Sequence, residues 1–338
     1  MTAVVAGSSR WRTDVDDAVV GVAAGPGGRI AAVGAEGSLS LLDTDGTVLH
    51  RVQASAGALT VAWSPAGDRI AVGSMDGCTL FDADGVPVGS VEGGWCSSLA
   101  WSFDGARLAA GVGRATVVAD RDGAEYFRRE RDSTVTGVAW IKRRVASSAY
   151  GGIHVHHISA DAGHDVLPFT GSLLALSISP DRRWAASGNQ DATLHVWRVG
   201  KSGSELAMSG YPTKISTLAF SPDSRFLASG GGSNVTVWDF GGTGPRGSTP
   251  RILAAADQIV TVVCWSPDGK LLAAASGDGT VAVWQPRLAT PGRPHPARCV
   301  LRRDAPATSV CWVSRDEFVA GWSDGSVAAH LLSARDCG

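Results

Sequence analysis

Apolar and polar positions come in blocks along this chain. The segment 263–285 reads VCWSPDGKLLAAASGDGTVAVWQ. An apolar run ends at Trp265, a Ser-Pro-Asp-Gly step follows, a second apolar run leads to Asp278-Gly279, and a third ends at Trp284. Short runs rich in Val, Leu, Ile and Ala, bounded by turn formers, predict strands rather than helices. Pro at the second position of Ser-Pro-Asp-Gly presets φ, and the Gly after Asp supplies a left-handed conformation without strain. The Asp-Gly pairs at Asp76, Asp278 and Asp324 are hairpin signals of the same kind.

The block recurs. Its copies begin GVAAGPGGRIAAVG, TVAWSPAGDRIAVG, SLAWSFDGARLAAG, GVAWIKRRVASS, ALSISPDRRWAASG, TLAFSPDSRFLASG, VVCWSPDGKLLAAAS and SVCWVSRDEFVAG. The slot of Trp265 is held in turn by Ala24, Trp63, Trp101, Trp140, Ile178, Phe220, Trp265 and Trp312, at steps of 39, 38, 39, 38, 42, 45 and 47. Eight copies at this period predict the blades of a propeller. A more polar run follows each third strand, as in EYFRRER at 125–131, so each unit reads as a four-stranded antiparallel meander. One such sheet cannot cover both of its faces. Stacking the units around an axis covers them, and closing the circle leaves only short protected edges.

The last copy shows only three strands, ending near Leu332. The N-terminal stretch SSRWRTDVDDAVVGVA resembles the fourth strand and link in EYFRRERDSTVTGVAW. Residues 8–15 are therefore expected to complete the last blade. The expectation is an all-β, closed β-propeller of four-stranded antiparallel blades, eight in number with seven as the alternative. It forms one domain over 1–338, with repeats from about 18 to about 335.

The motifs resemble those of the WD-repeat β-propeller family. They are SPDG at 266–269, SPD at 221–223, VWD at 237–239, and the VW pairs Val196–Trp197 and Val283–Trp284. The resemblance covers nearly the whole chain and implies the same fold, with rims that hold proteins or peptides. The family often carries Gly-His before the first strand, its His joining a Ser, an Asp and a Trp in a hydrogen-bonded tetrad. Here no Gly-His occupies that place, and Gly163–His164 lies elsewhere in its unit. Asp191 with Trp197, and Asp278 with Trp284, keep half the pattern. The resemblance thus implies an incomplete tetrad, with stability resting on apolar packing between blades.

Composition narrows the function. Hydrophobic residues are 44% and charged residues 18%, enough for a large core. Glycine, at 43 residues, supplies many turns. A net charge of −2 disfavours a general binder of phosphate backbones. The opening MTAVVAGSSRWRTD lacks a basic stretch followed by a long apolar one, so no signal peptide is expected. No apolar run reaches the length of a membrane span. The six cysteines contain no C-x-x-C pair, which points to a reducing cytoplasm. Richness in Ala, Gly and Arg suggests a bacterial source. No cofactor is expected, and the chain reads as a monomer.

Most tryptophans fall in repeat slots. Left over are Trp11, Trp95 and Trp322. Trp95 lies in a link between blades and Trp322 at the end of a second strand, which places both on one rim. With Met75, Tyr150, Tyr211, Gln190 and Arg114 they form the expected partner-binding surface. Asp16, Asp17, Asp257 and Asp304 add acidity there. His154 and His156 project from one face of a strand and are weak candidates for a metal, with His195 at a comparable place in the next copy. Replacement of core residues by half-buried His is the competing account. Cys264 and Cys311 sit at first-strand positions usually held by Ala. No G-x-S-x-G elbow, Walker loop or H-E-x-x-H occurs, so no catalytic residue is named. The connections at 200–206, 241–250 and 285–299 are long and are expected to be mobile insertions on the opposite rim. The function expected is a non-enzymatic scaffold for a protein or peptide, without nucleic acid or membrane. The alternative is a propeller with a small-molecule, metal or catalytic site at the mouth of its channel.

Overall fold

A computed structural model describes residues 9–159, 163–201, 203–242 and 244–332 of the chain. The predicted runs form eight antiparallel sheets, arranged as an eight-bladed propeller. Blades 1 to 7 begin at Val19, Ala58, Cys96, Gly137, Leu173, Leu218 and Val260. Blade 8 takes Ala307–Trp312, Glu317–Trp322 and Ser326–Leu331 from the C-terminal end, and its fourth strand is Ser9–Asp14. The clasp strand expected at 8–15 is thus present as Ser9–Asp14, while Ser8 lies outside the described residues.

Within a blade, burial follows position. In blade 3 the second strand, Arg107–Val112, and the third, Ala115–Asp120, are buried along nearly their whole length. The fourth, Glu125–Glu130, is mostly exposed, and the first, Cys96–Trp101, is half-buried. Apolar runs therefore lie where two blades sandwich them, and polar residues go to the edge. In six blades the first strand carries a register shift near its start, such as that between Cys96 and Ser98. A bulge of this kind increases local twist, which fans the strands of a blade.

Blades are joined by polar links as well as by packing. The indole N–H of Trp101, Trp140, Trp265 and Trp312 donates to the carbonyl of Ala62, Ala100, Ala219 and Cys264, at 3.2, 2.8, 3.0 and 2.9 Å. The repeating Trp at the end of the first strand thus tethers its blade to the one before. The same junction between blades 8 and 1 is tied by the Val22 N–H, which donates to Ser309 Oγ at 3.0 Å.

The insertion at 285–299 is ordered, contrary to the expectation of a mobile loop. Its segment Pro294–Pro296 pairs in parallel with Arg251–Ala254, giving blade 6 a fifth strand. Proline belongs on a sheet edge, where its missing N–H breaks no ladder. The Gly292 N–H donates to Pro250 O at 2.8 Å, which pins this segment against the 241–250 connection.

Candidate functional site

Connections between second and third strands, and between successive blades, share one face, the upper rim. Three large side chains stand out from it on blades 2 to 4. Met75 is 56% exposed, Trp95 53% and Tyr150 59%. Each sits on a turn whose backbone is held. Trp95 follows Gly93 (φ +133°) and Gly94 (φ +98°), two conformations that a residue with a Cβ rarely adopts. Its carbonyl accepts from the Gly113 N–H at 2.7 Å, which sets it beside exposed Arg114. The Tyr150 N–H donates to Ser133 Oγ at 2.9 Å. Gln190 is exposed on blade 5. Ile259, 49% exposed on the link into blade 7, has no signal in the sequence, because a lone Ile beside an apolar run reads as part of its strand.

Of the expected members of this surface, one is buried and one is half-buried. Trp322 is fully buried between blades 7 and 8. Its indole N–H donates to Gly279 O at 3.1 Å, and the Arg303 guanidinium lies 4.2 Å from its ring centroid. It is a core residue that happens to sit near the rim. Tyr211 turns inward as well. Its hydroxyl lies 2.7 Å from Ser229 Oγ and accepts from Trp238 Nε1 at 2.8 Å, and burial pushes its pKa up. Of the acidic residues, Asp17 is occupied within the fold. Its carboxylate accepts from Ser38 Oγ at 2.8 Å and the Glu36 N–H at 3.1 Å. Asp16 pairs with Arg51, Asp257 lies 3.6 Å from Arg302, and Asp304 is exposed.

A sequence model of the WD domain, G-beta repeat, matches residues 46–80, 158–198, 203–239 and 247–285. Each match starts in or just before the outer strand of one blade and runs through three strands of the next. The chain belongs to the WD-repeat β-propeller family. The offset between repeat and blade is what leaves the last blade short of a strand at one terminus and supplies it at the other. The C-terminal WD40 domain of Sif2 superposes with a TM-score of 0.82 at 17% identity, over 98% of this chain and 100% of that one. The computationally designed Ika8 protein superposes at 0.79 and 19%, over 96% of this chain and 100% of that one.

Among curated relatives, the small ribosomal subunit protein RACK1 of Schizosaccharomyces pombe is 32% identical over 34% of this chain and 38% of its own length. The WD repeat-containing protein slp1 of the same yeast is 25% identical over 57% of this chain and 41% of its own. The LST8 homolog of Drosophila melanogaster is 30% identical over 33% and 37%. The chain thus spans about two fifths of the length of these relatives. All three come from eukaryotes, so they lend nothing to a bacterial source.

In this WD-repeat propeller the tetrad of the family is replaced in blade 6. Tyr211, on the link into the blade, bridges Trp238 and Ser229 in place of a histidine. In blades 5 and 7 the indole nitrogens of Trp197 and Trp284 are buried without a hydrogen-bond partner among the described residues. Apolar packing therefore carries those two blades, as the missing Gly-His implies.

His154 and His156 gain a neighbour from the fourth strand of blade 4. His164 lies 5.1 Å and 5.3 Å from them, ring centroid to centroid. The rings lie at 21–32° to one another, stacked or tilted rather than turned to bring three nitrogens onto one point. Among the described residues no three His, Cys, Asp or Glu side chains are set to hold a metal ion. His195 is committed elsewhere, with Nδ1 2.5 Å from Glu205 Oε1. Burial, with Arg131 and the other two rings, lowers the His154 pKa to about 3. Burial, with His164, Arg131 and Arg129, lowers that of His156 to about 4.

Stability should therefore depend on pH. Both histidines are neutral in the fold but titrate near 6.5 when unfolded. Their contribution is complete above pH 6.5 and is lost as the pH falls from there towards 4 and 3. Allowing for the water that reaches them, the expected loss by pH 5 is about 1 kcal/mol each. Thermal melts at pH 7 and pH 5 should show it, and His156→Leu should flatten the difference. An identical slope in the variant would count against this assignment.

Proposed function

We propose that this propeller is a non-enzymatic scaffold. It holds a protein or peptide against the upper rim of blades 2 to 4, through Met75, Trp95, Arg114 and Tyr150, with Gln190 at the border. The observation that carries this reading is the exposure of three large apolar or aromatic side chains on neighbouring blades, each on a fixed turn. Trp, Tyr and Arg are the residue types that dominate binding energy, and Met adapts to irregular partners. A rigid ring holds them without an ordering cost on binding. Among the relatives, RACK1 is a small ribosomal subunit protein, which is a member of a larger assembly.

The state of the reactive side chains supports the absence of catalysis. The buried histidines are held neutral, and burial pushes the Cys264 thiol up to about 11 and raises Cys311 further. Cys78, Cys96, Cys264 and Cys311 are free thiols, in keeping with a reducing cytoplasm. No helix among the described residues is long and apolar enough to cross a membrane.

The test is affinity capture from the native host, then titration of the recovered partner against Trp95→Ala and Tyr150→Ala. Each variant should bind roughly tenfold or more weakly. Both should melt like the parent, because the positions are exposed. Undiminished affinity in both would remove this rim sector as the site.

A further inference from the structure

The opposite rim carries a second surface, at blades 3 and 4. Its connections join first to second strands and third to fourth. Most copies place Pro at the second position of the first-to-second turn, as at Pro65, Pro180, Pro222 and Pro267. Blade 3 places Phe103 there, and Phe103 is 92% exposed. A phenyl ring so exposed adds nothing to the core. The turn beneath it is nevertheless fixed. Ser102 Oγ donates to Asp104 Oδ1 at 2.6 Å and accepts from the Arg107 N–H at 3.0 Å, and the Ala106 N–H donates to Asp104 Oδ1 at 3.1 Å. The ring is presented, not left loose.

The adjacent turn, in blade 4, departs from the repeat as well. It reads IKRR in place of Ser-Pro-Asp-Gly, and Ile141 pairs directly with Arg144. That closes the hairpin on Lys142 and Arg143 alone. Lys142 adopts φ +58°, and both cations are exposed. Trp140 spans the gap, its indole N–H donating to Ala100 O at 2.8 Å. Phe103, Asp104, Arg107, Trp140, Lys142 and Arg143 thereby line one cleft between the blades. Tyr126, 46% exposed, extends its apolar side, with the Arg107 guanidinium 5.6 Å from its ring centroid.

Charge identifies the occupant. Three cations nearby on this rim are matched: Arg69 with Asp122 at 2.7 Å, Arg121 with Asp68, and Arg144 with Asp165 at 2.8 Å. Arg107, Lys142 and Arg143 have no carboxylate within ion-pair distance among the described residues. Asp104 lies in the cleft, but its Oδ1 is taken by the turn. Three unmatched cations beside an exposed phenyl ring suit an apolar side chain flanked by carboxylates. They do not suit a nucleic-acid backbone, which needs an extended basic track that the matched arginines on either side interrupt.

We infer that this cleft is a second docking surface, for an acidic peptide segment whose apolar residue packs on Phe103 while its carboxylates meet Arg107, Lys142 and Arg143. It does not rest on the upper-rim reading, and the two surfaces lie on opposite faces of the ring.

Short random peptides displayed on phage are selected at low salt on the full chain. The strongest is synthesised with a fluorescent label and titrated. The expected selectants carry net negative charge with Leu, Phe or Trp among the acids. Binding should weaken roughly tenfold in Phe103→Pro and at least as much in Lys142→Glu/Arg143→Glu. It should fall with added salt and survive Trp95→Ala. Phe103→Pro restores the residue that other copies hold, so its turn should fold, and thermal melts of each variant check this. The inference is overturned if no acidic peptides are enriched, or if affinity is unchanged in both variants. It is equally overturned if binding is lost in Trp95→Ala instead, or if a short thymidine oligonucleotide displaces the peptide on equal terms, which would assign the cleft to single-stranded nucleic acid.

Discussion

A chain lacking residues 1–15 is expected to lose its cooperative melt. Ser9–Asp14 closes the ring by pairing with Ser326–Leu331, with Cα partners from Ser9↔His330 to Asp14↔Ser326. Side chains reinforce the pairing on both sides of the joint. Arg10 donates to both Glu317 oxygens at 2.8 and 2.9 Å. The Trp11 indole N–H donates to Thr44 O at 3.0 Å and Thr13 Oγ1 to Gly46 O at 2.5 Å, both in blade 1. Val15 is buried against Val19, Val319 and Val327. The strand thus holds blade 8 and also ties it to blade 1. A ladder of this length, with Val15 buried and Trp11 partly so, contributes about 5–10 kcal/mol. That is comparable to the whole stability of an ordinary domain, about 5–15 kcal/mol. The truncated chain should melt broadly, expose apolar surface to a hydrophobic dye and aggregate. A sharp transition at the parent temperature would mean that the ring does not depend on its clasp.

Trp322→Ala should destabilise the ring far more than the loss of any exposed rim aromatic. The indole is fully buried among Val281, Leu301, Ala307 and Phe318, and its removal forfeits a hydrogen bond to Gly279 as well as the packing. Truncating a buried Trp costs about 3–5 kcal/mol. In a chain of this size that lowers the melting temperature by roughly 4–7 °C. Trp322→Phe keeps most of the volume and loses the donor, so about 1–2 kcal/mol is expected. The same calorimetric series should leave Trp95→Ala within about 0.5 kcal/mol of the parent, because that ring is exposed. Equal effects at Trp95 and Trp322 would contradict their opposite burial.

The blades were legible because their signals are local. Ser266-Pro267-Asp268-Gly269 makes its turn from its own backbone preferences. Ser266 Oγ donates to Asp268 Oδ1 at 2.8 Å, and the Lys270 N–H donates to the same oxygen at 3.1 Å. The eightfold count and the clasp were legible because repetition carries the register from one copy to the next.

Whether a rim residue faces solvent was not legible. Trp95 and Trp322 both stand at ends of strands, in surroundings of small residues. One is exposed because Gly93 and Gly94 lift it off the sheet. The other is buried because Gly279 and Arg303, forty-three and nineteen residues away, close over it. Tyr211 behaves likewise, since only folding brings Trp238 and Ser229 to its hydroxyl.

Alternation and turn chemistry, which act over a few residues, determined the strands, the eight blades and the N-terminal clasp. Contacts between blades, which join residues dozens of positions apart, decided which aromatics are core, which form the upper rim, and that Phe103 meets unmatched cations below. Periodicity reports which face of a sheet a side chain takes. It is silent about what the neighbouring blade sets against that face, and this decides whether water reaches it.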